Sequence, residues 1–276
     1  MKALGSLSGA RSGQLVEVAT AAAEAGAAVA SRWRRDPGSL VVEEKQAPDD
    51  LVSQADRDAE QAIRAVIEAE RPGDAILGEE HGHRAGGSGV RWAVDPIDGT
   101  TNYLHGRADW AVSVAAVREI DAVVIAAAVA EPAHGLVTTA SATAGTHRAG
   151  RRLGRGAGPA IADALVEVNF GSPAQRSQAG AVVGALVPRT RDVRRGGSAA
   201  AALAQVADGR ADAYWGPGLQ EWDIAAGMLL VTEAGGAVGG LAGPEPECRV
   251  PGGDLLAAAS VELWEELAQV LRGVWR

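Results

Sequence analysis

WAVDPIDGTTNY, residues 92 to 103, runs three apolar residues into two aspartates three apart, with Pro96 between them and Gly-Thr-Thr-Asn behind. Two carboxylates that close repel each other and lose solvation wherever they are partly buried, so the pattern asks for a cation between Asp95 and Asp98. WAV reads as the end of a buried strand and Pro96 and Gly99 as shapers of a turn. Thr100, Thr101 and Asn102 then supply the hydroxyls and free amides that cradle a phosphate.

Outward from this stretch, further acids fall at the ends of elements, where side chains converge on ligands. Glu79 and Glu80 follow the apolar AIL of residues 75 to 77, and Asp223 opens a helix after Trp222. Carboxylates from three separate segments suit a hard cation, above all Mg²⁺, which takes oxygen ligands and keeps waters that a phosphate can replace. A threonine hydroxyl beside such a site can orient the attacking water.

The flanking periodicity gives the layers. Residues 14 to 35 read as an amphipathic helix, and residues 49 to 73 as a second, with Ala55, Ala59, Ala62, Ile63, Val66 and Ile67 on one stripe. AILGEE reads as a short strand, HGHRAGGSG (81 to 89) as a mobile glycine-rich loop, and residues 90 to 95, 110 to 117 and 122 to 140 as strands, the last turning at Glu131-Pro132. A glycine-rich hairpin and linker over residues 144 to 159 divides the chain into halves, 1 to 150 and 151 to 276. The second half alternates strand and helix up to residue 236, the mark of an α/β layered unit.

Composition narrows the function. With 276 residues, 47% of them hydrophobic, the chain can bury a large core, built from Ala, Val and Leu with seven Trp as the large fillers. A net charge of −9 argues against nucleic-acid or anionic-membrane partners. The lone Cys248 excludes an intrachain disulfide and a thiolate metal cluster, and reads as an incidental loop thiol in a reducing compartment. Glu17 and Glu24 interrupt the N-terminal apolar run, so it is neither a secretory leader nor a membrane span. A cytoplasmic protein is expected.

WAVDPIDGTTNY, WDIAAGMLLVTEAGG (222 to 236), GEE (78 to 80) and DLVSQAD (50 to 56) together resemble, in order and spacing, the signatures of the inositol monophosphatase family of Mg²⁺-dependent, lithium-sensitive phosphatases. The resemblance covers nearly the whole chain. It implies a layered αβαβα sandwich of the inositol monophosphatase and fructose-1,6-bisphosphatase type, a homodimer, and two or three Mg²⁺ ions. Glu79, Asp95 and the Ile97 carbonyl would hold the first ion, and Asp95, Asp98 and Asp223 the second. Asp56 and Thr100 would activate the attacking water, with Glu79 among the catalytic groups. The amides of Gly99 and Thr100 would hold the phosphate, Gly197, Ser198 and Ala199 would line the substrate pocket with Asp98 and Asp223, and Lys45 would sit on a mobile loop near the site.

One position departs from the pattern. Many members carry a glutamate seven residues ahead of the metal-binding aspartate, where it binds a sugar hydroxyl, and this chain has Gly216. The ranking is therefore a small polyol or sugar phosphate first. The alternatives are 3'-phosphoadenosine 5'-phosphate, fructose-1,6-bisphosphate or histidinol phosphate, and, from another class, a regulatory binding protein with an idle phosphatase site. His81 and His83 fit a solvated pair better than metal ligands, since imidazole suits Zn²⁺ more than Mg²⁺; His105 could line the pocket mouth. The arginines from 189 to 195 read as a surface or interface run, Trp222 as packing for the start of its helix, and Trp110 or Trp215 as a possible pocket wall.

Overall fold

The computed structural model describes residues 9–36, 42–44, 51–172, 174–251 and 253–275. In chain order these form α1 (Gly9–Arg35), the short pair β1 (Val42–Glu44) and β2 (Leu51–Ser53), α2 (Gln54–Glu70), β3 (Ala75–Gly78), β4 (Gly82–Arg84), β5 (Val90–Asp98) and α3 (Thr100–Leu104). Next come β6 (Ala111–Arg118), β7 (Val123–Glu131), β8 (Leu136–Ser141), β9 (Gly145–Arg148), β10 (Arg151–Leu153) and β11 (Leu165–Val168). The chain continues through α4 (Arg176–Leu186), β12 (Asp192–Arg194), α5 (Ala199–Asp208), β13 (Ala213–Leu219) and α6 (Glu221–Glu233), and closes with β14 (Ala237–Gly240), β15 (Gly243–Pro244), β16 (Gly253–Ala258) and α7 (Val261–Arg272).

Two sheets carry the architecture. The first has the order β10-β9-β8-β7-β6-β5-β3-β4, and the second β12-β11-β13-β16-β14-β15. Which helices lie where follows from their faces. Helices α1, α2, α4 and α7 bury one stripe each and cover the outer faces of the sheets, whereas α5 and α6 are apolar nearly all round and lie between them. The result is five layers, αβαβα, with a core on each side of both sheets.

Small residues make the middle layer thin. Ala199, Ala200, Ala201, Ala202 and Ala204 of α5 are buried, and a methyl carbon at Gly227 of α6 would overlap Leu203 Cβ and stand 3.0 Å from its Cγ. The alanine-rich composition thus lets two helices pass closely between two sheets.

Three expectations change. Residues 51 to 53 are strand rather than the start of a helix, and α2 begins at Gln54 because the Asp56 carboxylate reaches back to the Ser53 amide at 2.8 Å and caps it there. HGHRAGGSG is not wholly loop: Gly82–Arg84 pairs antiparallel with Ile76–Gly78, giving its amides ladder partners. Trp110 and Trp215 are core residues. Both are buried, Trp110 edge-on to Tyr103 and Trp215 edge-on to Trp275.

Cys248 lies in a loop as expected, but it is buried at 3% exposure, and burial pushes its thiol up to about 12. A thiol held protonated is no nucleophile. Among the described residues no helix is long and apolar enough to cross a membrane.

Candidate metal centre

The site grows from an irregularity at the end of β5. Asp95 pairs with Ser113 of β6 and Asp98 with Ala111, so three steps on one strand face two on the other. That bulge admits Pro96, which has no N–H to give a ladder, and turns both aspartates toward the middle layer. Asp95 Oδ1 accepts from the Ile97 amide at 3.0 Å, tightening the turn. Gly99 follows with φ +93°, the left-handed region that favours glycine, and a Cβ there would also stand a tight 3.1 Å from the Asp109 carbonyl.

The second half delivers the other components from helix starts. Ser198 caps α5, accepting from the Ala201 amide at 3.1 Å while its hydroxyl donates to Asp98 Oδ2 at 2.7 Å. The Ala200 amide donates to the same oxygen at 2.5 Å. Asp223 lies in the first turn of α6 and reaches back to the Gln220 amide at 2.7 Å. Two contacts seat that turn against β5 and β6: Arg91 grips Glu221 through both carboxylate oxygens at 2.7 and 2.8 Å, and Ser113 donates to the Trp222 carbonyl at 2.9 Å. Asp95, Asp98 and Asp223 thereby offer one oxygen each, all within 4.8 Å of one another.

The electrostatics of this cluster favour a cation. Burial, then the carboxylates of Glu79, Asp98, Asp223 and Asp56, hold Asp95 well above the usual range. Burial raises Asp98 to about 7 even though Ser198 and the α5 amides favour its ionised form. Carboxylates that resist ionising together, with oxygens this close, fit a hard divalent ion that removes the penalty.

Glu79 follows β3, its amide bonded to the Val94 carbonyl at 3.2 Å beside Asp95. A group that sequence reading passed over holds this turn. Glu60, fully buried, accepts from the Glu80 amide at 2.6 Å and from the His81 amide at 3.2 Å, with Arg64 at 2.6 Å as counter-charge. Asp56 is buried, with Oδ2 tied to Ser53 and Oδ1 3.3 Å from the Thr100 hydroxyl. The same hydroxyl lies 3.2 Å from the Ile97 carbonyl.

Glu167 was also missed, and Asn102, read as part of the phosphate turn, has a bracing role that was not foreseen. Asn102 donates to the carbonyls of Asp109 and Gly196 at 2.5 and 2.6 Å, and Glu167 accepts from the Gly196 amide at 2.9 Å; together they pin the turn through Gly197 that leads into Ser198 and Ala199. The signal for Asn102 lay inside WAVDPIDGTTNY; that for Glu167 is a lone acid in an apolar strand. Gly216 lies in the middle of β13, buried beside Tyr214. His81, His83 and His105 are exposed. Arg191 and Arg194 pair with Asp163 and Asp192 on the surface, and Arg195 stacks on Phe170. Lys45 lies outside the described residues.

A family model described as the inositol monophosphatase family matches residues 13–276. The chain belongs to that family. It is 40% identical over 215 residues, 74% of this chain and 73% of the relative, to an inositol-1-monophosphatase SuhB of Mycobacterium tuberculosis. It is 38% identical over 231 residues, 80% and 82% of the two chains, to a protein of Xylella fastidiosa named Nus factor SuhB. The solved structure of an extragenic suppressor protein suhB from Bartonella henselae superposes with a TM-score of 0.85 at 31% identity, covering 95% of this chain and 98% of that one. This family member is a phosphomonoesterase of the inositol monophosphatase type with the layered fold its sequence implied.

Proposed function

We propose that the chain is a Mg²⁺-dependent phosphatase of a small polyol or sugar phosphate. The observation that carries this reading is the convergence of Asp95, Asp98 and Asp223 oxygens within 4.8 Å, on a turn that also presents Gly99 and Thr100. Asp95, Asp98, Asp223, Glu79 and the Ile97 carbonyl would hold two or three ions. Bound magnesium supplies Lewis acidity toward the phosphate and the departing alkoxide.

The protein's own groups do the rest. With Oδ2 fixed by Ser53, Asp56 keeps Oδ1 for the Thr100 hydroxyl, and that hydroxyl then has lone pairs to draw a proton from the attacking water. Gly99 and Thr100 turn their amides to the phosphate, and Gly197, Ser198 and Ala199 wall the pocket. Residues 1 to 150 contribute Glu79, Asp95 and Asp98, and residues 151 to 276 contribute Asp223. The resemblance extends the reading to a cytoplasmic homodimer, which light scattering on the purified protein tests.

Phosphate release from a panel of esters decides the proposal: myo-inositol 1-phosphate, glycerol 2-phosphate, fructose 1,6-bisphosphate, histidinol phosphate and 3'-phosphoadenosine 5'-phosphate, with Mg²⁺ and with EDTA. Turnover of the polyol or sugar esters that EDTA abolishes is expected. No turnover of any ester would favour the regulatory binding protein with an idle site.

A further inference from the structure

We infer that Arg91 and Glu221 are positioning residues of the metal centre: their ion pair claims one of the two acids in the first turn of α6 and so turns the other, Asp223, onto Asp95 and Asp98. This role rests on the metal-site reading above.

The first turn of α6 carries both Glu221 and Asp223 to β5. Residues two apart on a helix point about 200° apart, so these acids splay to opposite sides of the α6 axis. On β5, Ala93 packs in the core between the sheets while Trp92 and Val94 pack in the outer one, which puts Arg91, Ala93 and Asp95 on the face that α6 meets. From Arg91 to Asp95 is about 13 Å of strand, close to the width of a helix. Glu221 on Arg91 and Asp223 beside Asp95 is the arrangement that spans both positions at once.

The pair has the form that fixes orientation. Arg91 Nη2 donates to both Glu221 oxygens, at 2.7 and 2.8 Å, with Nε 3.3 Å from Oε1, and the two side chains are only 21% and 19% exposed. A planar fork on a carboxylate sets angle as well as distance, which a point charge does not. The other contact of this turn, Ser113 to the Trp222 carbonyl at 2.9 Å, comes from the β6 residue that pairs with Asp95. That single bond is a pivot, and Arg91 stops the turn from rotating about it.

Charge gives a second reason. Released from Arg91, Glu221 would compete with Asp223 for the same cation and add one more negative charge to a cluster already crowded by Asp95 and Asp98. Held by Arg91, it stays at the amino end of α6, where the helix dipole favours a carboxylate. Arg91 thus sorts two acids on one turn, one for the protein and one for the metal.

The test compares the wild type with R91M, R91K, E221M and R91M/E221M by Mg²⁺ titration calorimetry, by Tm in EDTA, and by kcat on myo-inositol 1-phosphate at saturating Mg²⁺. R91M should bind Mg²⁺ about tenfold more weakly, with kcat at saturating Mg²⁺ little changed because every ligand remains. R91K, which keeps the charge without the fork, should lose about threefold. E221M and the double variant should each lose about threefold, the double binding better than R91M because no stray acid competes. Wild-type Mg²⁺ affinity in R91M, with only Tm lowered, would overturn the inference, as would a double variant that binds no better than R91M. If R91M does not fold, R91K carries the test, and unchanged affinity there would overturn it equally. A wild type with no saturable Mg²⁺ binding would overturn the metal-centre reading and this role with it; saturable binding without turnover of any ester would overturn the phosphatase reading alone.

Discussion

Two regions that face the middle layer, the end of β5 and the middle of β13, are built on opposite terms. On the β5 side, Asp95 and Asp98 are packed beside Asp223 and Glu79, crowded charge held by a bulge and two helix starts. On the β13 side, Gly216 is buried and the neutral Tyr214 phenol fills the space that a side chain there would enter. Disturbing the charged region is expected to cost metal binding and activity, and disturbing the neutral one to cost stability.

The sharpest way to break that contrast is at its charged end. Replacing Asp95 with Asn removes the carboxylate nearest the other acids and should lower kcat/KM about a thousandfold on every ester tested. Steady-state kinetics would read it, and near-wild-type turnover would leave the charged wall without a role. Next in size, Thr100→Ala should cost about a hundredfold in kcat with KM for the ester little changed, because the hydroxyl between Asp56 and the water is lost while the metal ligands stay.

Smaller effects concern how the charged wall is held. Glu60→Gln sets an amide N–H against backbone donors and loosens the turn carrying Glu79, so calorimetry should find Mg²⁺ affinity about tenfold weaker. The smallest expected effect is in pH. Asp98 titrates at about 7 in the folded chain against 3.8 for an ordinary aspartate, and Asp95 is raised too, so the folded state binds more protons than the unfolded one between those values. Stability from these groups is full at low pH and is lost as pH rises toward 7. The Tm of metal-free protein should therefore fall by a few degrees from pH 5 to pH 8, and Mg²⁺ should flatten the fall; a Tm that rises over this range without metal would contradict the sign.

Much of this was legible in the residue order, for definable reasons. The strands through WAV and AIL, the helix that carries Trp222 and Asp223 and the all-round apolar α5 and α6 follow from local patterns, although β5 runs on to Asp98 and α6 begins at Glu221. What stayed hidden depends on contacts between distant segments. Glu60 reads as one more polar residue on an amphipathic helix until the turn twenty residues later folds onto it. Arg91 and Glu221, 130 residues apart, carry no local sign of their bidentate pairing. Gly216 was visible as a missing glutamate, but the Tyr214 hydroxyl that a Cβ there would overlap is a matter of packing. Strands β14 to β16 went unread because short strands among glycines and prolines give little periodicity, whereas α7, with Leu263, Trp264, Leu267, Ala268 and Leu271 at helical spacing, was legible and was passed over.

The central claim is that carboxylates from both halves of the chain make one metal site. Isothermal titration of Mg²⁺ into the wild type and into Asp223→Asn tests it most directly, since Asp223 reaches the cluster only through the packing of α6 on β5 and β6. Saturable binding in the wild type that weakens at least tenfold in the variant, with both proteins melting alike in EDTA, is the predicted result. Equal Mg²⁺ affinity in the two proteins would contradict the account.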